Sequence, residues 1–124
     1  MPTMRDRSIT LRGDIVGDER QLDGSRHLTL DLVDAADAWS CTLSLVVDRH
    51  NRLREGIVEL DGPERSGSAV LDRVLDLQVE PVLTLVAEFR DTDADPIRWR
   101  LRLQQAPDAA DGNDTFELTC TPSA

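Results

Sequence analysis

Apolar residues recur at every second position along most of this chain, and that period constrains the fold more than any other feature. Leu28, Leu30 and Leu32 alternate with Thr29, Asp31 and Val33, and Trp39, Cys41, Leu43, Leu45 and Val47 alternate with Ser40, Thr42 and Ser44. Val58 and Leu60 sit between Glu59 and Asp61; Leu83, Leu85, Ala87 and Phe89 form one face of a further run. Ile97, Trp99, Leu101 and Leu103 form the matching face of the next, and Phe116, Leu118 and Cys120 form the last. Successive side chains of a strand point to opposite sides, so each run predicts a strand with one apolar and one wet face. An opening strand from Ser8 to Leu11, extending toward Val16, completes the set.

Turn residues punctuate the runs: Asp34 to Ala38, the Arg/Asn/Gly-rich stretch Asp48 to Gly56, Asp91 to Pro96, and the polar segment Ala106 to Asp114. One segment departs from the period. Val70, Leu71, Val74 and Leu75 fall at helical spacing over Ala69 to Leu77, with Ser68 placed as an N-cap, which predicts a short helix. The fold class expected is therefore mainly β. It is an antiparallel meander of about seven strands forming a sandwich or a small barrel, with one short helix near residues 68–77. The 124 residues suit a single domain, 1–124, with residues 1–7 as a loosely ordered arm.

Matching the inward faces of the runs ending at Phe89 and starting at Ile97 sets Glu88 opposite Arg98 or Arg100. Such a pair contributes a few tenths of a kcal/mol when exposed, so it speaks to register rather than function.

Charge narrows the functions. The chain carries 24 acidic residues against 14 basic ones, a net charge of -10, and every basic residue is arginine. Without lysine or tyrosine there is no phosphate-loop lysine, no lysine Schiff base and no tyrosine acid or base. The acidic balance opposes a sequence-independent grip on nucleic acid or on an anionic membrane surface. Base-stacking platforms need exposed aromatics among basic residues, whereas Trp39, Phe89, Trp99 and Phe116 all carry the inward parity of their strands. There is no apolar run of membrane-spanning length and no secretory h-region after Met1, so a cytoplasmic location is expected.

Catalytic groups are scarce. His27 has the outward parity of its strand and His50 lies in a turn, neither with a nucleophile at a suggestive spacing. Cys41 and Cys120 share no metal-type spacing and carry inward parity, which predicts two buried thiols. Asp91, Asp93 and Asp95 resemble the start of a calcium loop, but Pro96 and Arg102 occupy the positions where such a loop needs glycine and glutamate. A turn built from aspartates accounts for the run, leaving it a weak cation candidate. No cofactor is implied.

Arginine is distributed unevenly. Arg98, Arg100 and Arg102 alternate along one strand beside Glu88, a row suited to a carboxylate, a phosphate or an acidic surface. Two principal readings follow. The first is a non-enzymatic binding module, inhibitor-, immunity- or regulator-like, whose acidic surface engages a basic protein partner. The second is a small barrel that binds an apolar ligand, or acts on it, in an interior cavity lined by Trp39, Trp99, Phe89 and Phe116; no inward polar residue in these strands would orient that ligand. A third reading is an assembly subunit that uses an exposed strand edge.

Overall fold

The computed structural model describes residues 8–34, 38–63, 66–79, 82–91, 98–106 and 115–123. These form eight antiparallel strands: β1 (Ile9–Arg20), β2 (Arg26–Val33), β3 (Ser40–Val47), β4 (Leu53–Asp61), β5 (Ser66–Gln78), β6 (Thr84–Asp91), β7 (Arg98–Gln105) and β8 (Thr115–Ser123). Each pairs with its neighbour in sequence, and β1 pairs with β8 from Ile9↔Cys120 to Asp14↔Thr115, closing a barrel. The residues 1–7 expected to form an arm lie outside the described residues. No helix among the described residues is long and apolar enough to cross a membrane.

The short helix expected near residues 68–77 is replaced by β5, which raises the strand count from seven to eight. Parity demands it: an up-and-down meander closes with antiparallel first and last strands only when the number of strands is even. The helical spacing has a local cause. Ala69, Leu71, Val74 and Leu77 pair with Asp91, Phe89, Ala87 and Leu85, and the ladder slips between Leu71 and Arg73 and again between Val74 and Asp76. Each bulge adds one residue to β5 alone, so its inward positions fall two, then three, then three residues apart. A strand interrupted in this way reproduces the spacing of a helix face.

The register expected for the β6–β7 hairpin holds, with Glu88 opposite Arg100 and Phe89 opposite Trp99. Alternation places a leucine-rich set inside the barrel, including Leu11, Leu30, Leu43, Leu45, Leu85, Leu101, Leu103 and Leu118, each essentially inaccessible. Every such side chain contributes roughly 1.5–3 kcal/mol on burial. Phe89 is fully buried, and Ala87 and Gly56 leave room for large neighbours; the Phe89 ring would lie 3.1 Å from a Cβ on Gly56. Trp99 and Phe116 are buried, while Trp39 is half-buried and lies flat across Gly62, where any Cβ would overlap the indole. Cys41 and Cys120 are buried free thiols, as expected; burial pushes Cys41 far up and Cys120 to about 12, so neither is a thiolate at neutral pH.

The turn after β3 is organised by one carboxylate. Asp48 Oδ1 accepts the His50 N–H at 2.8 Å and the Arg52 N–H at 3.0 Å, while Oδ2 accepts Arg54 Nε–H at 2.8 Å. Asn51 supplies the left-handed residue, φ 61°, that the reversal requires. The Arg52 backbone bond leads in holding the Asp48 carboxyl below its usual range, helped by the His50 backbone and the Arg54 guanidinium. A depressed folded-state value means this contribution is complete above the unfolded carboxylate pKa, about 3.9, and is lost as pH falls through the lower folded value. Asp48→Asn is therefore expected to lower Tm at neutral pH and to melt progressively closer to wild type on acidification below pH ~4. A constant Tm difference across a pH series of thermal melts would contradict this account.

Candidate functional site

Three places on the barrel are chemically distinct: a cavity at one end, an arginine-bearing wall and an acidic wall opposite it. The cavity lies at the end where β2 joins β3 and β4 joins β5. It measures about 40 Å³ and is lined by Val58, Leu60, Ala69, Trp99, Leu101 and Cys120, with Ser68 and Asp91 as its polar groups. That is space for roughly three or four waters, on the order of 10–15 Å³ each. Ligand pockets for small organic molecules are roughly 300 Å³ or larger. Of the four aromatics expected around an interior cavity, Trp99 lines this one; Phe89, Phe116 and Trp39 pack elsewhere.

Asp91 corrects two expectations. It is the last residue of β6 rather than part of a solvated turn, and it is buried, with 6% of its surface exposed. It also gives the interior an inward polar residue where none was expected. Its position follows from parity, since Asp91 is two residues beyond the inward Phe89 and pairs with the inward Ala69. Asp93 and Asp95, its companions in the weak cation candidate, lie outside the described residues. Among the described residues no three His, Cys, Asp or Glu side chains are grouped to hold a metal ion.

Arg98, Arg100 and Arg102 project together from the outer face of β7 and are exposed, beside Thr121 and Thr119 of β8. Glu88 is half-buried on β6 opposite Arg100. No ion pair joins them among the described residues; the row's ion pair runs from Arg98 Nε to Asp72 Oδ2 of β5, at 3.8 Å. Arg90, opposite Arg98, and Arg73, opposite Glu88, widen this wall.

The acidic wall was not singled out by sequence reasoning. Four successive ladders align Asp14 with Asp31, Asp31 with Thr42, Thr42 with Glu59, and Glu59 with Ser68. One outward row thus crosses β1 to β5. The row beside it joins Val33, Ser40, Asp61 and Ser66. Hydroxyls interleave the carboxylates: Thr42 Oγ1 donates to Asp31 at 3.3 Å, and Ser66 donates to Asp61. Ser40, Thr42, Glu59, Asp61, Ser66 and Ser68 line a shallow open groove along these rows.

Among the described residues, the ion pairs lie away from this row. Ion pairs among the described residues include Arg12–Glu117, Arg26–Asp18, Arg54–Asp48 and Arg98–Asp72, and none of these reaches Asp14, Asp31, Glu59 or Asp61. Asp14 and Asp31 are both exposed and directly opposed, an arrangement that costs a free-standing barrel stability. The outward parity of these residues was legible in each hairpin, but their alignment into one row depends on the registers of four ladders. His27 and His50 are exposed, His50 next to Arg49 Nε at 3.3 Å. Comparison of the chain with protein-family models, with curated proteins and with solved structures finds no match to any of them.

Proposed function

We propose that the protein is a non-enzymatic binding module that presents the outer wall of β1 to β4 to a protein partner with a basic surface. The observation that carries this reading is the opposed pair Asp14 and Asp31, continued by Glu59 and flanked by Asp61, none of them ion-paired to an arginine among the described residues. A partner's guanidinium or ammonium groups would relieve the like-charge contact and gain charge-assisted hydrogen bonds. With Arg73, Arg90, Arg98, Arg100 and Arg102 on the far wall, the molecule carries a charge asymmetry that would orient a basic partner during encounter. The cavity beside Trp99, at about 40 Å³, is small for an apolar ligand, which favours the binding-module reading over the ligand-binding one.

The test uses the protein as bait for interacting proteins from the cells that make it, beside Asp14→Asn/Asp31→Asn/Glu59→Gln. Wild type is expected to retain a basic protein whose association slows about tenfold or more with the triple variant, and whose rate falls with salt for wild type only. Arg98→Gln/Arg100→Gln is expected to bind that partner like wild type. Equal binding by the triple variant, or loss of binding only with the arginine variant, would overturn the proposal.

A further inference from the structure

The barrel is closed, but the seam between β4 and β5 is laddered over only part of its length. β4 and β5 are laddered only from Ile57↔Val70 to Asp61↔Ser66. Beyond Val70, β5 continues to Gln78 bonded to β6 alone, and no strand among the described residues pairs with its other edge. The split begins where Gly56 and Leu71 approach each other, with 3.4 Å between a Gly56 Cβ and the Leu71 Cβ. The bulges at Asp72 and Leu75 then curl β5 away from β4. Asp72 to Asp76 are all exposed, and Val74 is 38% exposed although its β6 partner Ala87 is fully buried. Leu75 is equally exposed, so two large apolar side chains sit on a bare strand edge.

Unpaired edges recruit strands, and closed barrels normally remove them. The sequence at this edge, Arg73-Val74-Leu75-Asp76, is complementary to itself in the antiparallel sense. We propose that two copies of the chain associate through this half of β5, edge to edge about a two-fold axis between Val74 and Leu75. In that register Arg73 of each copy opposes Asp76 of the other, giving two ion pairs. Val74 opposes Leu75 twice, covering both exposed apolar side chains. Moving the register one way sets Asp72 against Asp76, like charges directly opposed; moving it the other way sets Val74 against Asp76. Neither forms the ion pairs, so the charge pattern selects one alignment. A two-fold contact is isologous and stops at two copies. The interface is independent of the acidic wall, so a basic partner and a second copy do not compete.

The test is sedimentation velocity over a concentration series reaching the millimolar range, at physiological ionic strength, where much of the repulsion between two copies of net charge -10 is screened. Wild type is expected to show a monomer–dimer equilibrium. Asp76→Arg turns both ion pairs into like-charge contacts and is expected to weaken the dimer roughly ten- to a hundredfold. Arg73→Asp should do the same, and the double exchange Arg73→Asp/Asp76→Arg should return the dissociation constant to within about threefold of wild type. Thermal melts at low concentration check that each variant folds; if Arg73→Asp, which also faces Glu88, does not, Asp76→Arg and the double exchange suffice. A wild-type monomer throughout, a dimer indifferent to the single reversals, or a double exchange that fails to restore it would each overturn the proposal.

Discussion

Truncating Phe89 to alanine is expected to destabilise the protein by about 3–5 kcal/mol, the largest loss from any single core truncation in this chain. The ring is fully buried at mid-barrel, across from Trp99 on β7 and Leu71 on β5, with its tip against Gly56. The ladders of β6 with β5 and β7 hold the strands beside the ring, so the wall closes around the void only in part and the cavity penalty adds to the lost burial. Equilibrium urea unfolding should show a lower midpoint with an unchanged m-value. Phe89→Leu, which refills most of the volume, should recover more than half of the loss. A Phe89→Ala cost below about 1.5 kcal/mol would mean that the interior collapses freely, and the packing described for the barrel would be wrong.

Gly13→Ala is expected to rank second, at about 3 kcal/mol or somewhat more, the upper end of the cost of forcing atoms into a packed site. β1 approaches β2 so closely there that a Cβ would overlap the Asp31 carbonyl and the Leu32 Cα. These are backbone atoms within a ladder, and no rotamer change can move them aside. Gly13 does not have a positive φ, so the cost comes from proximity alone. Four residues on, Gly17 provides the control: a Cβ there would meet the Thr29 side chain at 3.5 Å, an ordinary contact. Gly17→Ala should be neutral or stabilise by a few tenths of a kcal/mol through the unfolded chain. Thermal melts of the two variants should therefore move apart, and equal shifts would contradict the close β1–β2 approach.

Both substitutions bear on how far the fold could be read from the sequence. Strict alternation located seven strands and the inward faces of Trp99, Phe89 and Phe116, because a residue's side of a sheet depends only on its neighbours along the chain. The eighth strand was hidden because β5 carries two bulges, and a bulge is a relation between two strands that one strand's sequence does not record. Barrel and sandwich were indistinguishable for the same reason, since the deciding contact, Ile9 with Cys120, joins opposite ends of the chain. Asp91 was misplaced because a run of three aspartates reads as a turn, whereas the strand persists one residue into it. The acidic row could be seen only once Asp14, Asp31 and Glu59, from three separate strands, had been brought level by their ladders.

The β1–β8 seam also sets the order in which the molecule can assemble. Every other ladder joins strands adjacent in sequence, so hairpins can form early and locally, each closing a short loop. The seam must bring the two ends of the chain together, and it alone carries the entropy of closing nearly the whole polymer. Once the preceding strands are in place most of that separation has already been spanned, leaving a gap of one strand width. Ser8 and Thr121, hydrogen-bonded at 3.1 Å, sit where that last gap closes. Folding of this barrel is therefore a sequence of short-range steps whose commitment is made at one long-range joint.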